Sequence, residues 1–132
     1  YIGTLAGTTL NSEKITCRPC ADMSEATIST TDPLQLFKDE AELDKFYRVA
    51  AHAKLMRNGY DCYAYAMIAA GHMDVVIESG LEPYDIQALI PIIQGAGGVI
   101  TNWQGGPADQ GGQVVACGDK RLHKQVIGLL NQ

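Results

Sequence analysis

The sequence predicts an α/β fold, a layered sheet with flanking helices. Short β-branched runs bounded by turn residues alternate with stretches of helical apolar spacing, and such alternation argues helices packed on a sheet. Val75-Val76-Ile77 is a continuous apolar run, the mark of a strand buried on both faces. The 132 residues are 46% hydrophobic, enough for one domain with a real core. Charged residues, at 19%, fall below the usual share of about a quarter, which argues against disorder.

Tyr1 to Leu10 interleaves Gly and Thr with apolar residues and reads as a strand reaching a turn at Asn11-Ser12. Ile15 to Arg18 is the expected return strand, and Ala26 to Thr30, β-branched and alternating, the next. Asp32-Pro33 signals a turn. From Asp39 to about Ala53, Leu43, Phe46, Tyr47 and Ala50 recur at helical spacing, with acids early and Arg48, His52 and Lys54 late, the order that suits a helix dipole. Leu55 to Arg57 reads as a short strand ended by Asn58-Gly59, and Asp61 to Ala70 as a buried helix capped by Gly71. Met73 to Glu78 is a strand stopped by Ser79-Gly80. Glu82-Pro83 opens a buried helix with apolar residues to Ala96, kinked at Pro91 and ended by Gly95, Gly97 and Gly98. Val99 to Asn102 and Gln113 to Cys117 are strands around a Gly-rich turn. Asp119 to Leu130 closes the chain as a helix with Leu122, Val126, Leu129 and Leu130 on one face. No repeat, low-complexity segment or linker interrupts this order.

Several function classes are disfavoured. No apolar run approaches about 18 residues, so no membrane span is expected, and no secretory leader is visible. The chain starts at Tyr1 rather than Met, as a fragment or processed product would. A net charge of −5 without a basic stripe gives nucleic acid little to bind. Any small anionic substrate would need local help from a metal ion or a helix N-terminus. The four cysteines need form no framework at this size, and the composition reads as cytoplasmic. Cys17-Arg18-Pro19-Cys20 is a lone CxxC without the second pair a zinc ribbon needs, so its thiols read as incidental. No P-loop, GxSxG or Ser-His-Asp order is present.

The chemistry concentrates where a strand ends in Glu78, a tight loop follows, and Asp85 sits at a helix start. Ligands of open α/β sheets collect beyond the carboxyl ends of strands, and a carboxylate there suits a hard cation such as Mg²⁺. The plainer reading makes Asp85 a helix cap and Glu78 a solvated strand end; spacing alone favours it. Gly59-Tyr60-Asp61 is a second such corner, and Asp61 by itself reads as a cap. Tyr60, Tyr63 and Tyr65 read as packing residues, and Trp103 as a cover over the sheet edge.

Gly80-Leu81-Glu82-Pro83-Tyr84-Asp85-Ile86, followed by Gln94-Gly95-Ala96-Gly97-Gly98-Val99, resembles the second signature of the inositol monophosphatase family, a Trp-Asp, a helix and a closing Ala-Gly-Gly. Tyr84 stands where the Trp would. The Pro-Tyr-Asp form is similar to the family's histidinol-phosphate phosphatase branch. So are Gly59 to Tyr65, Ile100 to Gly105 and Val115 to Asp119. The Asn11 turn and Ile28-Ser29-Thr30 fall where the family has a hairpin and a strand, so the resemblance covers nearly the whole chain.

The resemblance implies the C-terminal half of the inositol monophosphatase (sugar phosphatase) fold, as one C-terminal α/β domain over 1–132. It implies Mg²⁺-dependent hydrolysis of a small phosphate monoester, with L-histidinol phosphate, and hence histidine biosynthesis, as the first expectation. An inositol phosphate or related sugar phosphate is the alternative, and a non-catalytic binding or dimerisation fragment the rival. Asp85 carries over as the metal ligand and Glu78 as the substrate-recognising acid. Gly59, Tyr60 and Asp61 carry over as a substrate-contacting stretch, and Asp61 and Glu78 suit a substrate amine. Gly59, Tyr60, Asp61, Glu78 and Asp85 are thus the expected substrate-binding set. The family's first acid cluster and Asp-Pro-x-Asp-Gly-Thr motif are not in this sequence. A missing N-terminal half is expected to bring most metal ligands, so the chain alone should be inactive. A homodimer is expected, with no nucleic-acid or membrane partner.

Overall fold

Turn chemistry shapes the beginning of the chain. In the computed structural model, which describes residues 1–132, Ile2–Thr4 (β1), Gly7–Leu10 (β2) and Glu13–Ile15 (β3) form an antiparallel three-stranded sheet. The strand expected from Tyr1 to Leu10 is therefore two strands. The Thr4 hydroxyl donates to the Gly7 carbonyl and accepts from the Ala6 N–H, closing a turn over Leu5-Ala6 that carries no Pro or Gly at its centre. Asn11 and Ser12 both have positive φ, 50° and 70°, as a tight two-residue hairpin requires. That turn pairs Leu10 with Glu13, so the return strand starts earlier than Ile15.

The main sheet holds Thr27–Ser29 (β4), Leu55–Met56 (β5), Val75–Leu81 (β6), Val99–Asn102 (β7) and Gly112–Cys117 (β8), in the order β5-β4-β6-β8-β7. β5, β4 and β6 run parallel, and β8 is antiparallel to both its neighbours. Alternation along the strands feeds two cores. Val75, Ile77 and Val115 face one side, which Glu40–Ala50 (α2) and Lys120–Leu130 (α6) cover with Phe46, Val49, Leu122, Val126 and Leu130. Val76, Val114 and Ala116 face the other, beneath Cys62–Ala69 (α3) and Leu89–Gly95 (α5), which bring Tyr65, Ile68 and Ile93. The small sheet packs on α5 in turn, so close that a Cβ on Gly3 would meet the Ile92 nitrogen at 2.4 Å. Asp39 caps α2 and Asp119 caps α6 with side-chain oxygens on backbone N–H groups.

Three further elements depart from expectation. Asp32-Pro33 opens a short helix, Pro33–Leu36 (labelled α1), because Asp32 Oδ1 accepts from the Leu34 N–H and Pro33 is pre-set for a first helical turn. The helix expected from Glu82 to Ala96 is two: Pro83–Ile86 (α4) and α5, with a break over Gln87-Ala88. Pro91 has no N–H to give the Gln87 carbonyl, so the helix restarts with Pro91 in its first turn instead of bending through it. β6 runs past Ser79-Gly80 to Leu81, with its register against β8 disturbed between Glu78 and Leu81. Trp103 is buried beside Phe37, with ring centroids 6.0 Å apart, and its indole N–H donates to the Val114 carbonyl. No helix is long and apolar enough to cross a membrane.

Candidate functional site

β4 and β6 lie side by side and parallel, so their carboxyl ends open on one side of the sheet. A cavity of about 430 Å³ lies there, walled by Thr31 beyond β4, Asp61 and Tyr65 of the α3 corner, Glu78 of β6, and Tyr84 and Asp85 of α4. Three of the five residues singled out from sequence, Asp61, Glu78 and Asp85, thus meet in one crevice. Gly59 and Tyr60 do not line it. The Gly59 N–H, at φ +92°, donates to the Thr30 carbonyl and turns the chain toward Asp61, while Tyr60 points to solvent, 37% exposed. A larger cavity of about 660 Å³ contains Arg18, Asp74, Glu25 and Lys54, but Asp74 is paired with Arg18 and Glu25 with Lys54.

Asp61 is not a cap. It stands at the N-cap position of α3, yet its side chain accepts no hydrogen bond there. Its backbone lies at φ 51°, ψ −141°, a region that glycine tolerates and a residue with a Cβ does not. A free carboxylate on a strained corner is a common feature of binding sites.

Glu78 is not a solvated strand end either, being only 3% exposed. Oε1 accepts from the Thr31 N–H at 3.2 Å and from the Thr31 hydroxyl, and Oε2 accepts from the Tyr65 hydroxyl at 2.9 Å. Burial pushes its pKa above the ordinary glutamate value; the bonds from Thr31 and Tyr65 pull the other way, and the charge of Asp61 adds to the rise. Burial, with Glu78 alongside, raises the Tyr65 phenol well above its usual range. One residue on, Ser79 donates to Glu42 at 2.9 Å and ties β6 to the first turn of α2.

Asp85 is a cap and has capacity to spare. Its Oδ2 accepts from the Glu82 N–H at 2.8 Å, and Oδ1 has no protein partner. A Mg²⁺ site is often completed by one or two protein carboxylates with water and substrate phosphate, and the free Oδ1 fits one such position. No three His, Cys, Asp or Glu side chains gather closely enough to hold an ion on their own. Thr31 and Tyr65 were not singled out as partners of Glu78. Tyr65 lies four residues after Asp61, on the same side of the helix start, and that spacing is the signal that points to it. The exposed thiol of Cys62 also borders the cavity.

A family model described as the inositol monophosphatase family matches residues 3–132. The chain is 45% identical over 129 residues to the bifunctional phosphatase IMPL2, chloroplastic, of Arabidopsis thaliana, covering 91% of this chain and 37% of that protein. It is 28% identical over 131 residues to a histidinol-phosphatase of Streptomyces coelicolor, covering 98% of this chain and 48% of that one. Among solved structures, an inositol monophosphatase from Zymomonas mobilis superposes with a TM-score of 0.92 at 33% identity, over 98% of this chain and 52% of that one. The chain therefore spans half or less of the length of the curated relatives it matches.

Proposed function

The chain belongs to the inositol monophosphatase family, and from that premise we propose that it is the C-terminal part of a Mg²⁺-dependent phosphomonoesterase that cleaves L-histidinol phosphate to L-histidinol and phosphate. The observation that carries the reading is the convergence of Asp61, Glu78 and Asp85 on one cavity at the carboxyl ends of β4 and β6. Such a site is hostile to a bare anion and welcoming to a molecule that bears a cation at one end.

Asp85, whose second oxygen is free, would hold the metal. Bound Mg²⁺ supplies neutralisation of phosphoryl charge and lowers the pKa of a coordinated water. Asp61, unbonded and facing the cavity, pairs with the substrate ammonium, and Glu78 adds a second negative charge beside it. The burial of Glu78 keeps that charge away from bulk water, so its pull on an ammonium is less screened. The remaining metal ligands belong to an N-terminal half outside this chain, so the isolated chain is inactive. Leu5 and Ile2 of the small sheet, fully and largely exposed, belong to the surface which that half covers. Four free thiols suit a reducing compartment, and we place the protein in the cytoplasm.

The likeness to the Zymomonas mobilis structure favours one second reading, an inositol or related sugar phosphate as substrate. Phosphate release by the full-length protein separates the two. L-Histidinol phosphate should be preferred over inositol 1-phosphate, and Asp61→Ala should erode the preference. Equal turnover of both substrates, or a preference untouched by Asp61→Ala, would remove the amine-recognition role.

A further inference from the structure

We infer that Tyr65 and Thr31 are positioning residues that set substrate selectivity through Glu78, holding its buried carboxylate in place as a fixed negative charge facing the amine end of the substrate. The inference rests on the proposed function and concerns how its acidic cavity comes to prefer a cation.

Three donors converge on one carboxylate. The Tyr65 hydroxyl binds Oε2, and the Thr31 hydroxyl and N–H both bind Oε1. A carboxylate has about four lone-pair positions, two on each oxygen; Thr31 takes both on Oε1, and Oε2 keeps one beyond Tyr65 for contact with the cavity. Tyr65, 1% exposed, and Glu78, 3% exposed, sit in the wall rather than the mouth. Their geometry is imposed by the fold, since Tyr65 rides on α3, Thr31 follows β4 and Glu78 belongs to β6. Without donors a buried glutamate favours its neutral form and its side chain is free to turn. A neutral or turned carboxyl would attract an ammonium weakly. Tyr65 is placed to act this way: its hydroxyl has one partner, and that partner is Glu78. The ordinary account of a buried tyrosine is packing, and Ala64 and Ile68 beside it show that α3 has apolar residues enough for that.

The test compares two esters that differ only in the amine: L-histidinol phosphate and 3-(imidazol-4-yl)propyl phosphate. Phosphate release is measured with the full-length protein and Mg²⁺ for wild type, Tyr65→Phe and Thr31→Val. The wild type is expected to favour the amine ester in kcat/KM. Tyr65→Phe is expected to cut that ratio about tenfold, the order of one hydrogen bond to a charged group. The loss should fall on the KM of the amine ester and exceed any loss seen with the amine-free ester. Thr31→Val, acting on the other oxygen, should move the ratio in the same direction and serves if Tyr65→Phe does not fold. Both esters slowed alike, with the ratio intact in both variants, would make Tyr65 and Thr31 merely structural and overturn the inference. A wild type indifferent to the amine would instead overturn the amine-recognition reading beneath it.

Discussion

Asp61→Gly should make the protein more stable while weakening its selectivity. The wild-type backbone at this residue, φ 51° and ψ −141°, lies outside the regions open to side chains with a Cβ. Strain of this kind costs about 1–3 kcal/mol per residue. Glycine relieves it but gains freedom in the unfolded chain, which costs about 0.5–1 kcal/mol. The Asp61 carboxylate accepts no hydrogen bond at the helix start, so none is lost there. The balance is a gain of about 0–2.5 kcal/mol by the same figures. Removing a charge from the acidic cavity also relieves repulsion, and Asp61→Ala controls for it, because alanine loses the charge and keeps the Cβ. Urea unfolding of the three proteins, read as the midpoint at constant slope, should place Asp61→Gly above Asp61→Ala. A glycine variant no more stable than the alanine variant would refute the strain argument, and with it the case that function holds this corner in place.

Two further outcomes follow from buried carboxylates. Asp74, 1% exposed, accepts from the Arg18 guanidinium and from the Thr27 N–H at 2.7 Å; Asp74→Ala should cost about 2–4 kcal/mol in urea unfolding, below the full cost of a broken buried pair because the Arg18 side chain is 41% exposed. A cost under 1 kcal/mol would show that β4 does not depend on that clamp. The pKa of Glu78 is raised in the folded protein, so the folded state binds its proton more tightly than the unfolded one. The stability this contributes is complete below the ordinary value of 4.5 and is lost as pH rises through the raised folded value. Unfolding measured from pH 4 to 7 should therefore show Glu78→Gln gaining on the wild type as pH rises; a flat or opposite difference would contradict the assigned burial.

Much of the fold is legible because its signals are local. α2 and α6 carry both an apolar face and a capping aspartate, Asp39 and Asp119; α6 lies within a residue of expectation, and α2 ends at Ala50, three residues short of the expected Ala53. β6 declares itself through Val75-Val76-Ile77, and the corner of Glu78 and Asp85 follows from a strand, a loop and a helix start in sequence. What was not legible depends on partners far along the chain. The Leu5-Ala6 turn has no glycine or proline at its centre and is fixed by Thr4 and by packing of the hairpin on α5. The burial of Glu78 needs Thr31 and Tyr65, which lie 47 and 13 residues away, and a charged residue after an apolar run ordinarily reads as the end of burial. Asp61 reads as a cap because Asp before a helix ordinarily is one; its backbone angle, which separates the two roles, is decided by the corner from Gly59 and not by its own side chain. The family resemblance points to the same three acids, and the structure gives them different surroundings: one strained and free, one buried and held by three hydrogen bonds, one half-committed to a cap.

Phosphate release with and without Mg²⁺ tests the central proposal most directly. Residues 1–132 alone, the full-length protein, and the full-length protein carrying Asp85→Asn would be measured side by side on L-histidinol phosphate. The expected result is no release by the isolated chain, Mg²⁺-dependent release by the full-length protein, and a lowered rate with a raised Mg²⁺ requirement in Asp85→Asn. Robust turnover by the isolated chain would contradict the division of the site between two halves, and an unchanged Mg²⁺ requirement in Asp85→Asn would contradict the role of Asp85 as a metal ligand.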